Sequence, residues 1–175
     1  MAATDCTIRE RRDYDLPALA AALVRVHAQD GYPVEGVADP IGWLDHAQAL
    51  QSWTAVVNDL PIGQVTLTEA DPNDDAARAW SEQTGGSVAD LAIIVRLFVD
   101  PDYRSVSAGR LLMVAALDHA RLIRRSVALD VMAKDRAAIR LYERLGGRRI
   151  GEVTHHHGDG LTEPAIVLDF PSATV

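Results

Sequence analysis

Apolar residues recur at helical spacing early in the chain, with Leu16, Leu19, Ala20, Leu23 and Val26 on one face, and predict an amphipathic helix from Leu16 to His27. Asp13 or Asp15 is placed to cap it, and Pro17 is tolerated in its first turn. A short strand is expected before it, over residues 6–10. Gly31-Tyr32-Pro33 breaks the pattern, and a second helix is expected from Ile41 to Leu50, followed by a strand from Trp53 to Val57. Asn58-Asp59-Leu60-Pro61 reads as a hairpin turn into a strand from Ile62 to Thr68.

From Asp71 to Ser87 the residues turn small and acidic around Trp80 and end in Gly85-Gly86, the pattern of a connection that carries a short helix. Leu91 to Val99 is an apolar run that needs a sheet around it. A helix from Ala108 to Ile123 and a strand from Val127 to Met132 follow, so strand, helix and strand form a right-handed parallel crossover. The last elements are a helix from Asp135 to Leu145, closed by Gly146-Gly147, and strands at Arg148 to Thr154 and Ala165 to Phe170. The order implies an α/β fold, a mixed, twisted central sheet with helices on both faces. No repeat, low-complexity tract or linker interrupts it, so residues 1–175 read as one domain.

At 175 residues and 48% hydrophobic content the chain is long and apolar enough for a substantial core. Its 17 Lys and Arg against 25 Asp and Glu give a net charge of −8, which opposes nucleic-acid phosphates and favours the approach of a cationic amine. Cys6 is the only cysteine, which excludes an intramolecular disulfide and a cysteine-based zinc site. The first residues lack a basic segment followed by an apolar one, and no window is apolar over a bilayer's width. The expectation is a cytoplasmic protein without a membrane partner.

Chemistry concentrates where the apolar run Leu97-Phe98-Val99 turns through Asp100-Pro101 into an arginine-led, small-residue segment and a helix. A turn before a helix leaves backbone N–H groups without intrahelical partners, and the helix dipole adds positive charge there, so the segment reads as a pyrophosphate cradle with Arg104 as its cation. Arg104-x-x-Ser107-x-Gly109 resembles the Arg/Gln-x-x-Gly-x-Gly/Ala motif of the GCN5-related N-acetyltransferase (GNAT) family, with Ser107 where glycine is usual. About thirty residues on, Asp135-x-x-Ala138-x-x-Leu141-Tyr142-x-x-Leu145-Gly146 resembles the same family's Asn-x-x-Ala-x-x-Leu-Tyr-x-x-Leu-Gly. Asp135 replaces the asparagine, and Gly147 stands where an aromatic residue commonly follows.

The resemblance implies a GNAT-like fold with its motif-bearing region at 91–147. It also implies direct transfer of an acetyl group from acetyl-CoA to a primary amine, either a small molecule or a peptide N-terminus. The co-substrate would be held by Leu97, Phe98 and Val99 along the pantetheine arm. Arg104, Ser105, Val106, Ser107, Ala108, Gly109 and Arg110 would surround the pyrophosphate, with Asp135 and Ala138 on the following helix. No metal is implied, and a homodimer is left open. The rival reading is a non-catalytic acyl-CoA-binding or interaction domain, motivated by Ser107, Asp135 and the lack of an acidic residue from Leu91 to Val99.

Within that resemblance Tyr142 is the general acid for the departing thiolate, since a phenol with a pKa of about 10 is protonated at neutral pH and can serve a thiol of about 8.5. Its periodicity with Ala138, Leu141 and Leu145 also fits a core ring. The base stays open among Glu69, Asp90, a member of the triplet His155-His156-His157, and water. The triplet reads as a solvated loop between the last two strands, with a metal role disfavoured for want of further ligands. Arg96, inside an apolar strand, is either a structural ion pair or a pocket cation.

Overall fold

Asn58 and Asp59 both take left-handed backbone angles, φ 48° and 64°, and so form the two-residue turn that right-twisted strands require. That turn joins β2 (Ala49–Val57) to β3 (Leu60–Glu69). The computed structural model describes residues 5–157 and 160–171, with only the backbone of His157. Its contacts divide the chain into two units, one of residues up to 68 with Val95–Ala116, the other of Glu69–Ile94 with residues from 117 on.

In the first unit β1 (Cys6–Glu10) pairs antiparallel with β2, which pairs antiparallel with β3. Helix α1 (Leu16–Asp30) buries Leu19, Leu23 and Val26 with Leu44 and Phe98, and ends at Gly31, whose φ of 70° is a glycine cap. Neither proposed cap residue caps α1 with its side chain. Asp15 instead accepts from Arg9 at 2.7 and 2.8 Å and from the Arg12 N–H at 2.8 Å. Burial pushes its carboxyl up, but the bonds from Arg9 and Arg12 outweigh it and hold the group below the ordinary value.

The second helix is shorter than the pattern predicts. Helix α2 (Pro40–Leu44) stops because Asp45 turns extended, at φ −96° and ψ 104°, and Ala49 and Leu50 join β2. Strand β4 (Leu91–Val99) contributes its C-terminal half to this unit, where its backbone meets β3 closely. A Cβ at Gly63 would lie 2.6 Å from the Phe98 carbonyl oxygen and 3.2 Å from Val99 Cα, so only glycine fits. The Asp100 N–H donates to the Ile62 carbonyl at 2.7 Å. The Asp100 carboxylate is buried and accepts from the Arg25 guanidinium, at 3.1 Å from Nε and also from Nη2, and from the Asp102 N–H at 3.1 Å. It thereby fixes the 3-10 turn Pro101–Val106 that leads into α4 (Ala108–Leu122).

In the second unit the N-terminal half of β4 pairs in parallel with β5 (Ser126–Met132), from Leu91 with Ser126 to Ile93 with Ala128. Strand β5 pairs antiparallel with β7 (Leu161–Phe170), and β7 with β6 (Arg148–His157). Helix α3 (Asp75–Thr84) is the short helix expected in the acidic connection, with Trp80 buried. Helix α5 (Arg136–Arg144) follows β5. The histidine triplet lies in β6 and not in a loop: His155 pairs with Glu163, His156 with Thr162 and His157 with Leu161. Cross-strand pairing zips a polar stretch whose side chains alone gave no strand signal. With β4 common to both units, the strand order is β1-β2-β3-β4-β5-β7-β6, a mixed seven-stranded sheet with helices on both faces.

Replacing Asp100 with Asn keeps an acceptor for the Asp102 N–H but removes the charge that pairs with Arg25. Hydrogen bonds to charged groups contribute about 1.5–3 kcal/mol, and Arg25 is half-exposed, so Asp100→Asn is expected to cost about 1–2 kcal/mol in urea unfolding. An unchanged midpoint would show that the pair contributes nothing.

Candidate active site

The turn after β4 departs from helical geometry at one residue. Ser107 lies in the left-handed region at φ 58° and ψ 21°, which explains why the motif it resembles prefers glycine there. Past it the backbone enters α4, and the first N–H groups of this 15-residue helix have no intrahelical acceptors. Ala108 is buried, Gly109 half-buried and Arg110 exposed, and no ion pair engages Arg110 among the described residues. Ser105 is exposed and Val106 half-buried. Arg104, the expected phosphate cation, is held by the Asp30 carboxylate through both terminal nitrogens. An incoming phosphate has to compete for it, whereas no carboxylate among the described residues holds Arg110.

Upstream, Phe98 is buried, and Leu97 and Val99 are half-buried. The parallel ladder to β5 ends at Ile93, so the backbone of β4 beyond that residue makes no register pair with β5. Arg96 sits there at φ 55°, a left-handed residue inside a strand and a conformation arginine rarely adopts.

The second unit holds Asp135, Ala138 and Tyr142. Asp135 occupies the cap position of α5 without a side-chain cap bond, and is exposed; Ala138 is half-buried. Tyr142 is 7% exposed, and no hydrogen bond to protein engages its hydroxyl among the described residues. Burial, and then the carboxylates of Asp135 and Asp130, push that hydroxyl well above the ordinary phenol value. The field of Asp130 thus reaches Tyr142, and Asp130 is itself bonded to His155 Nε2. On the other flank of α5, Arg136 and Arg140 line a cleft of about 380 Å³ with Arg149, Ile139 and Ile166.

Of the open base candidates, Glu69 is paired with Arg125 and Asp90 is exposed at the end of a 3-10 turn. His155 is joined to Asp130, whose field reaches Tyr142. Asp130 was not singled out by sequence, although an acid within the apolar run Val127–Met132 is the signal that could have found it. Among the described residues no three of His, Cys, Asp and Glu gather as a metal site. No helix among them is long and apolar enough to cross a membrane.

Residues 18–147 match the model of the acetyltransferase (GNAT) family, more than half of the chain. No curated protein sequence matches significantly. Among solved structures, the ribosomal-protein-S18-alanine N-acetyltransferase of Escherichia coli superposes with a TM-score of 0.71 at 22% identity, over 98% of this chain and 96% of that one. Arabidopsis thaliana NAA60 in complex with acetyl-CoA gives 0.72 at 20% identity, over 95% and 98%. An N-acetyltransferase from Staphylococcus aureus Mu50 gives 0.70 at 16%, over 95% and 98%. At these identities the likeness is one of fold.

Ser107→Gly removes left-handed strain that costs an L-residue about 1–2 kcal/mol, partly offset by the extra freedom of glycine in the unfolded chain. The variant is expected to unfold at a higher urea concentration, by roughly 0.5–1 kcal/mol. A lower midpoint would mean that the serine hydroxyl stabilises the turn.

Proposed function

Because the chain belongs to the GNAT family of acetyltransferases, we propose that it moves the acetyl group of acetyl-CoA directly onto a primary amine, with Tyr142 as general acid and the Asp130–His155 pair as the proton acceptor. The observation that carries this reading is that Tyr142 is a buried residue whose hydroxyl bonds no protein group among the described residues. A core tyrosine satisfies its hydroxyl, whereas a proton donor to substrate keeps it unengaged until the substrate arrives.

In the first unit the α4 N-terminus and Arg110 supply donors for the pyrophosphate, and Arg104 joins them on releasing Asp30. The backbone of Leu97, Phe98 and Val99 pairs with the pantetheine arm. An N–H there stabilises the charge that develops on the thioester oxygen. In the second unit Asp135 and Ala138 border the co-substrate. The neutral amine attacks the thioester carbon, the C–S bond breaks, the thiolate takes the Tyr142 proton, and the surplus amine proton passes to His155, whose charged form Asp130 stabilises.

No acyl-enzyme is needed. Cys6 lies in β1, and burial, followed by the charge of Asp5, raises its thiol above the ordinary value, which disfavours the thiolate. The substrate-facing chemistry is therefore that of a ternary complex in which residues 1–175 act as one catalytic domain in the cytoplasm.

Tyr142→Phe deletes a hydroxyl that bonds no protein group among the described residues, so the variant is expected to fold with little loss of stability while kcat falls by roughly 10²–10⁴-fold in single-turnover transfer. Full chemical-step activity in the folded variant would reject the acid assignment. Acetyl-CoA binding without thiol release for any amine would point to a sensor.

The raised Tyr142 pKa keeps the hydroxyl protonated above its ordinary value of 10.0. The pH profile of kcat/KM is therefore expected to rise as amine and base lose protons, with no alkaline fall below about pH 10. A falling limb near pH 8 that disappears in Tyr142→Phe would contradict it.

A further inference from the structure

Among the described residues Arg96 has no carboxylate partner. Its Nη1 is buried and makes no hydrogen bond, and its guanidinium carbon lies 5.0 Å from the centre of the Trp43 ring. The two acids whose fields reach it are engaged elsewhere: Glu35 accepts from the Trp43 indole N–H at 2.8 Å, and Asp45 from Arg11 at 3.2 Å. Arg11, which opposes it electrostatically, also donates to the Leu44 carbonyl and to Gln64. Burial lowers the Arg96 pKa, a sign that the cation is under-compensated, although it remains charged.

Around it stand three rings. Tyr32 meets Trp43 edge-on at 5.6 Å between centres, and Trp43 lies 6.3 Å from Phe98. Tyr32 and Trp43 are only partly buried, as is Arg96 itself. All of these residues belong to the first unit, and Arg96 holds its place there only through a left-handed backbone angle within β4. A structural ion pair would have brought a carboxylate with it. An unpartnered guanidinium donor among half-buried rings, on a strained residue of the acetyl-CoA strand, is the arrangement of a receptor for an anion.

We infer that Arg96, flanked by Tyr32 and Trp43, binds a carboxylate carried by the acceptor, so that the substrate is a small amino acid or amino-acid-like zwitterion with both an amine and a free carboxylate. This deepens the acetyltransferase reading and rests on it. The rings contribute apolar walls for the acceptor's side chain, and the guanidinium fork pairs with both carboxylate oxygens. A peptide N-terminus carries no free α-carboxylate beside its amine, so it does not satisfy this site unless an acidic side chain replaces it.

The test compares the proteinogenic amino acids with their α-carboxamides, and with C-terminally amidated peptides that begin in Asp or Glu, by thiol release from acetyl-CoA in wild type, Arg96→Gln and Arg96→Lys. The carboxamide amine is the less basic of each pair, so amine ionisation alone favours the amide, and a preference for the acid must come from the site. Wild type is expected to prefer at least one free amino acid over its amide by about ten- to hundredfold in kcat/KM, the loss typical of a hydrogen bond to a charged group. The preference resides in KM, disappears in Arg96→Gln and returns in part in Arg96→Lys, while calorimetric affinity for acetyl-CoA stays the same. Equal use of acids and amides by wild type, a preference kept in Arg96→Gln, or turnover confined to the acidic peptides would overturn the inference.

If no amine is turned over, the acetyltransferase reading fails and binding decides the inference by itself. Calorimetry of the N-acetyl amino acids and their amides in the presence of coenzyme A should then show carboxylate-dependent binding to wild type that Arg96→Gln loses. Absence of such binding would refute it.

Discussion

The buried Asp100 carboxylate ties three elements of the first unit together. Its N–H bonds β3 at Ile62, its side chain takes the Arg25 guanidinium of α1, and its second oxygen caps the turn at Asp102. A carboxylate that is 1% exposed is tolerated only because every one of these donors is in place. The direction in which the chain leaves β4 follows, and with it the entry of α4 and the position of Ser107, Gly109 and Arg110. Gly63 adds the other constraint, since its missing Cβ lets β3 lie against the backbone of Phe98 and Val99.

Charge is distributed unevenly in a chain of net charge −8. Most arginines are spent on carboxylates: Arg9 on Asp15, Arg25 on Asp100, Arg104 on Asp30, Arg125 on Glu69, Arg148 on Asp169. Arg96, within β4, and Arg110, in the first turn of α4, are among the arginines that make no ion pair among the described residues. Acids also act on Tyr142, where burial, and then Asp135 and Asp130, raise the hydroxyl's pKa and keep it protonated at neutral pH. Asp130 also bonds His155 Nε2, so in the proposed reaction this one carboxylate would bias both proton transfers.

Periodicity made α1, α4 and the parallel crossover through β5 legible, because each buries one continuous apolar face that the residue spacing reports. The two motifs marked the turn after β4 and Tyr142 for the same reason, local backbone chemistry written in adjacent residues. Where long-range pairing decides, sequence was silent. His155 to His157 became strand only through partners at Leu161 to Glu163, and α2 ended early because Asp45 turned extended. Arg104's capture by Asp30, 74 residues away in the chain, and the buried Arg96 Nη1 that makes no hydrogen bond among the described residues are tertiary facts with no local signature.

The central claim is that the turn fixed by Asp100 offers its backbone N–H groups to the pyrophosphate of acetyl-CoA. Amide hydrogen exchange on the full chain, with and without saturating acetyl-CoA, reads those groups directly. Strong slowing at residues 105–110, beyond any slowing at α3, is the predicted result. Unchanged exchange across 105–110 in a protein that calorimetry shows to be saturated would contradict it.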